Sequence, residues 1–211
     1  MNRYDRNSRI LASGLSALAG YVDAIGFIKL GGFFVSFMSG NSTRLGVGLA
    51  EGSMHAAVAA GLVGSFVAGV VCGSLVGHAA GAHRRMAILL CVAALLALAA
   101  GLGMAGLATG AVGAMALAMG AENAVFERDG EVQIGLTYMT GTLVKVGQRL
   151  AAMVLGGDRL AWRPYLLLWL GLIAGAVAGA AVYPHLGLNG LWIAAAAAAL
   201  FAIIAAKAEP A

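Results

Sequence analysis

Long apolar segments separated by short polar ones make up almost the whole chain. Residues 86–121 contain no charged side chain, although a single membrane-spanning helix needs only about 20 apolar residues. The pattern predicts spans over about residues 10–28, 56–80, 86–105, 108–126, 164–183 and 190–206. The composition is 61% hydrophobic and 10% charged, which is far from that of a soluble domain. We therefore predict an all-α polytopic membrane protein in which residues 1–211 form one membrane domain.

Two further segments place polar residues between apolar flanks, and they are related to each other. Residues 35–50 align with residues 136–151 at an offset of 101. Each copy contains a glycine and hydroxyl-bearing residues, followed by a cation, Arg44 or Lys145. Irregular backbone is tolerated at membrane depth only where it is buried in protein or lines a wet cavity. The first copy is compatible with one span broken in its middle, or with a re-entrant hairpin of two half-helices.

The internal repeat extends beyond these two segments. Gly20 and Asp23 align with Gly120 and Asn123, and a glycine pair at 69 and 73 aligns with one at 175 and 179. Residues 10–106 and 110–206 are therefore two copies of one unit. If the polar segments are re-entrant, the chain has six spans in two inverted halves. If they cross the membrane, it has eight spans in two parallel halves.

The distribution of cations favours six spans, because Lys and Arg concentrate on the cytoplasmic side. The six-span topology leaves Lys29 outside and puts both chain termini in the cytoplasm. The cations it places inside are Arg3, Arg6, Arg9, Arg84, Arg85, Arg128, Arg159, Arg163 and Lys207.

Two groups of residues carry a resemblance to a known family. They are Gly20 to Phe27 followed by Gly31 to Gly46, and in the second half Gly120, Glu122, Asn123 and Ala124 with Met139 to Leu143. The chain resembles the YoaK-like family of bacterial membrane proteins over nearly its whole length. This resemblance implies six membrane segments and a bacterial inner membrane, and it implies no established substrate or activity. Glu122 departs from the glutamine expected in many members, which makes an acidic role there less general.

The two polar segments are also the candidate binding site. Free N–H and C=O groups at helix breaks bind ions and solutes in transporters built from inverted repeats. We expect a transporter or channel for a small polar solute, with anions preferred. Its predicted substrate-binding residues are Ser39, Gly40, Asn41, Ser42, Thr43, Arg44, Thr140, Gly141, Thr142 and Lys145. Asp23, Glu122 and Asn123 are candidates for charge pairing or coupling, and the simplest alternative pairs Arg44 with Asp23 and Lys145 with Glu122.

Other function classes have less support in the sequence. Cys72 and Cys91 lie inside apolar runs, no metal-ligand spacing is present, and no nucleophile with a base occurs at membrane depth. We therefore expect no enzymatic activity, catalytic residue, metal, cofactor or nucleic-acid partner. The expected partners are lipid, a small solute and, through the small-residue glycine faces, a second copy in a homodimer. The alternative function is a structural or assembly protein in which the two motifs are packing devices.

Overall fold

Eight α-helices account for most of the computed structural model, which describes residues 6–128 and 130–208. Arg3 and Asp129 lie outside the described residues. The helices are α1 (Arg6–Lys29), α2 (Met38–Glu51), α3 (His55–Ala80), α4 (Arg84–Met104), α5 (Ala108–Glu122), α6 (Met139–Val154), α7 (Arg163–Leu186) and α8 (Leu191–Ala208). Two short strands, β1 (Glu127–Arg128) and β2 (Glu131–Val132), pair antiparallel between α5 and α6. Each of the six predicted spans coincides with an α-helix to within a few residues at its ends, although α5, with 15 residues, is shorter than the predicted span.

Three helical stretches are long and apolar enough to cross a membrane: Asn7–Lys29, His55–Met104 and Arg163–Lys207. The second and third each contain two α-helices joined by a short 3-10 turn. The fold is therefore all-α, and its apolar helices are those of a multi-pass membrane protein.

Glycine allows the closest helix contacts in the bundle. A Cβ on Gly69 in α3 would overlap the carbonyl oxygen of Leu117 in α5, and one on Gly175 in α7 would overlap that of Ala17 in α1. The predicted small-residue faces are thus used inside one chain, so a homodimer would need a different surface. The contact between α1 and α7 and the contact between α5 and α3 join equivalent elements of the two halves.

The contacts between helices also define the directions of α1, α4 and α5 relative to one another. Tyr21 in α1 donates to the carbonyl of Gly190 at 2.9 Å, and Gly103 in α4 faces Leu188. The C-terminal ends of α1 and α4 therefore lie at the same end of the bundle, beside the start of α8. Since α5 follows α4 after a turn at residues 105–107, α5 runs in the direction opposite to α1.

The two polar segments are not broken helices, and this part of the prediction is wrong. Residues 39–44, including Gly40, lie within the single helix α2, and residues 140–145 lie within α6. The break precedes the motif instead. Gly31 and Gly32 adopt positive φ angles of 63° and 114°, a region that favours glycine, and the chain then continues without helix to residue 37.

Candidate functional site

The first turns of α2 and α6 meet at a common pocket of about 270 Å³, which we call the central pocket. The two helices run away from this pocket in opposite directions. Gly48 near the end of α2 packs against Ala56 at the start of α3, whereas α6 leads towards the start of α7 at the other end of the bundle. The pocket is lined by Ser36, Phe37, Met38 and Ser39 from the first half, by Thr137, Tyr138, Met139, Thr140 and Gly141 from the second, and by Phe66 of α3.

Neither helix start is capped by a side chain. The cap residues are Phe37 for α2 and Tyr138 for α6, and neither makes a side-chain hydrogen bond to the first turn. A helix N-terminus has backbone N–H groups without helical partners and carries a partial positive charge. Two such ends facing one pocket provide hydrogen-bond donors and a favourable field for an anion or a strongly polar group.

Side chains on α1 and after α5 anchor the segments that lead to the pocket. The Oδ1 of Asp23 accepts hydrogen bonds from the backbone N–H groups of Val35 and Ser36, both at 2.8 Å. In the second half, the Oδ1 of Asn123 accepts from the hydroxyl of Thr137 at 3.2 Å. Asp23 and Asn123 are equivalent in the repeat, so the same position supports the pocket wall in both halves.

Asn41 holds the extended segment against α2. Its side-chain amide donates to the carbonyl of Phe34 at 2.6 Å, and its Oδ1 accepts from the N–H of Phe34 at 3.1 Å. The side chain is 0% exposed. Asn41 therefore acts as a clamp between α2 and the preceding segment, and it does not line the central pocket.

Arg44 lies in a different pocket, of about 520 Å³, which we call the Arg44 pocket. Its guanidinium stacks over the rings of Phe33 and Phe34, at 5.1 and 5.6 Å from their centroids. Arg44 is six positions into α2, about 9 Å along the axis from the helix start. The Arg44 pocket is lined by Gly31, Phe33, Phe34, Gly40, Thr43, Arg44, Val47, Gly48, Glu51 and His55.

The ion pairs that the sequence suggested as the alternative to solute binding, Arg44 with Asp23 and Lys145 with Glu122, are not formed. Asp23 binds backbone N–H groups instead of Arg44, and the ammonium of Lys145 lies 5.7 Å from the ring centroid of Tyr165. Glu122 is 0% exposed, and neither of its carboxyl oxygens has a hydrogen-bond partner in the described chain. Among the described residues the ion pair is Arg84 with Glu127, at 2.8 Å.

The structure thus divides the predicted substrate-binding residues into groups. Ser39, Thr140 and Gly141 line the central pocket, whereas Gly40, Thr43 and Arg44 line the Arg44 pocket. Asn41 and Thr142 are buried, the Ser42 hydroxyl donates to the carbonyl of Met38, and Lys145 is exposed on α6.

Sequence reasoning missed Ser36, Phe37, Thr137 and Tyr138, which line the central pocket. The repeat alignment pairs Ser36 with Thr137 and Phe37 with Tyr138. This similarity was the available signal, because it extends to the residues that precede the polar core of each motif.

Comparisons with known proteins support a membrane protein. The family described as "Protein of unknown function (DUF1275)" matches residues 11–204. The chain is similar to the UPF0700 transmembrane protein RA0705 of Rhizobium meliloti (strain 1021), with 39% identity over 195 residues, which cover 90% of this chain and 82% of that protein. No solved structure matches the chain.

Proposed function

The chain belongs to the DUF1275 family of proteins of unknown function, and we propose that it is an integral membrane transporter or channel for a small polar solute, with anions preferred. The central pocket is the proposed substrate site. The observation that carries the proposal is the meeting of two uncapped helix starts, from equivalent places in the two halves, at one pocket. Helix N-termini at the interface of repeats bind anionic substrate groups in secondary transporters.

The proposed topology has six spans and two re-entrant segments in inverted halves. The pairs α3–α4 and α7–α8 supply four crossings, and α1 and α5 supply the other two. The opposite directions of α1 and α5 support inverted halves, since parallel halves would require these two helices to run in the same direction. In this topology α2 and α6 each start at the depth of the central pocket, and each leaves towards the side from which its segment entered.

The distribution of charge supports a cytoplasmic location for the end at which α1, α4 and α7 begin. The cations at that end include Arg9, Arg84, Arg85, Arg159, Arg163 and Lys207. The opposite end of the bundle carries Lys29 at the end of α1, Glu51 at the end of α2 and His55 at the start of α3. We propose the bacterial inner membrane as the location, with both termini in the cytoplasm.

A structural or assembly role is the alternative, and it predicts a centre closed by paired charges. Arg44 and Lys145 have no carboxylate partner in the described chain, and hydroxyl groups of both halves line an open pocket. These two features favour a solute path over a packing device.

Filling the central pocket is the direct test. A Cβ on Gly141 would contact nothing within 4 Å, and Gly141 lines the pocket. Gly141→Leu therefore adds four carbon atoms to the pocket without a clash at the backbone. Gly147 is the matched control, because it lies on the same helix with equally open surroundings and does not line the pocket.

The measurement is flux into proteoliposomes challenged with the sodium salts of formate, acetate, nitrate, chloride and phosphate. We expect flux of at least one of these anions with the wild type and with Gly147→Leu, and a loss of about tenfold or more with Gly141→Leu. Equal flux from the two leucine variants would reject the central pocket as the path, and absence of flux of every anion with the wild type would reject anion transport.

A further inference from the structure

The Arg44 pocket contains a cation that forms no ion pair with a described residue, although Glu51 lines the same pocket. The Cζ of Arg44 lies 5.1 and 5.6 Å from the ring centroids of Phe33 and Phe34, and its Nε is buried without a hydrogen-bond partner among the described residues. The nearest candidate counter-ion from the sequence, Asp23, is engaged by two backbone N–H groups. An arginine without an ion-pair partner in an apolar helical bundle is a candidate functional site, because the partial burial of its charge has a cost that an ion pair would otherwise offset.

The loop before α2 leaves space at the edge of the guanidinium. A Cβ on Gly32 would approach Nη2 of Arg44 to 3.4 Å, and the φ of Gly32, 114°, excludes most other residues. The N–H donors of an arginine lie in the plane of the guanidinium, at its edge. This edge is the part of an arginine that binds a carboxylate with two parallel hydrogen bonds.

A pair of aromatic rings separates this pocket from the central pocket. Phe34 lines the Arg44 pocket and Phe37 lines the central pocket. Their ring centroids are 5.1 Å apart and their planes are at 84°. Gly40 permits this packing, since a Cβ there would lie 2.6 Å from Cδ1 of Phe37. The two pockets are therefore neighbours with an aromatic partition between them.

We infer that the Arg44 pocket is a second, outer binding site for a small monoanion, with a carboxylate as the preferred class. The inference rests on the proposed function, in which the solute passes between this site and the central pocket. Glu51 lines the same pocket, and its negative charge disfavours an anion of higher charge. The Phe33 and Phe34 rings suit a ligand whose charged group is small and whose remainder is apolar.

Formate binding to the full-length protein in detergent tests the site without requiring transport. The readout is the rise in thermal unfolding temperature with sodium formate, at constant ionic strength set with sodium sulfate, whose dianion this site disfavours. Arg44→Gln should weaken the apparent affinity about tenfold or more, and Arg44→Lys should give an intermediate loss because it keeps the charge and loses the two-pronged geometry. Arg149→Gln is the control, because it removes the same charge from an exposed position outside both pockets.

A second variant is expected to change the affinity for formate in the opposite direction. Loss of folding cannot explain a tighter affinity. Glu51 is exposed at the end of α2, so Glu51→Gln should fold, and removing its negative charge should tighten formate binding about threefold. Unchanged affinity in both Arg44→Gln and Glu51→Gln would overturn the inference, as would the absence of any formate-dependent stabilisation of the wild type.

The two proposals fail in different ways. If formate binds through Arg44 and proteoliposomes show no anion flux, the proposed function fails and the outer site stands. If flux occurs and its dependence on formate concentration is the same in Arg44→Gln as in the wild type, the outer site fails and the proposed function stands.

Discussion

Asn41 provides the sharpest test of how the motif is built, because the structure assigns it a role different from solute binding. Its side chain makes two hydrogen bonds to the backbone of one residue, Phe34, and it is fully buried. Asn41→Asp keeps the size of the side chain and replaces the donor with an acceptor that faces a carbonyl oxygen. Asn41→Leu removes both partners and leaves the N–H and C=O of Phe34 unpaired.

The expected loss of stability follows from these two bonds. A typical hydrogen bond contributes about 1 kcal/mol net, but removing one partner so that a buried group is left unpaired costs about 1–3 kcal/mol per group. For Asn41→Leu the two groups together give a loss of about 4 kcal/mol, less the gain from burying an apolar side chain. Asn41→Asp should be at least as destabilising, since its carboxylate is placed against the carbonyl of Phe34.

Thermal unfolding in detergent measures this loss, and flux in proteoliposomes separates it from a role in binding. We expect both variants to unfold at a lower temperature than the wild type. In the fraction that remains folded, the concentration of anion that gives half-maximal flux should be unchanged. Unchanged stability combined with a large rise in that concentration would refute the structural role of Asn41 and would indicate that it binds the solute.

Two further predictions concern the bundle. Gly69→Ala should destabilise the protein by about 1–3 kcal/mol, because its Cβ overlaps the Leu117 carbonyl and α3 must move away from α5; Gly61→Ala on the same helix meets nothing within 4 Å and should be neutral or slightly stabilising in the same thermal assay. Glu122→Met should stabilise by about 1–3 kcal/mol, because it removes a fully buried carboxyl group that has no partner in the described chain. A lower unfolding temperature for Glu122→Met would contradict this and would indicate an interaction that the side chain makes in the membrane.

The long helices could be predicted because membrane helices are specified by long apolar runs, which are visible without an alignment. The interface glycines could be located for a similar reason, since their spacing is repeated in both halves. The partner of each face could not be predicted. Gly69 and Gly175 mark positions of close approach, and only the three-dimensional arrangement shows that α5 and α1 occupy them.

The continuity of the helix through Gly40 was missed because glycine has two different effects on a helix. Gly40 has ordinary helical backbone and serves to admit the Phe37 ring, whereas Gly31 and Gly32 have positive φ angles that end the preceding structure. The residues at 33–37 are aromatic, β-branched or serine, and this enrichment in strand-favouring types was the signal for an extended segment. Read as apolar residues alone, they resemble half of a membrane helix.

The separation of Arg44 from Lys145 follows from the same geometry and changes the expected mechanism. Both residues lie six positions after the first residue of a helix, and the two helices start at the central pocket and run in opposite directions. Each cation is therefore about 9 Å from the pocket along its own helix axis, on opposite sides of it. A pair of cations placed in this way cannot hold one solute together. In the proposed function such a pair attracts an anion towards the central pocket from either side, and the two helix N-termini are the groups proposed to bind it at the centre.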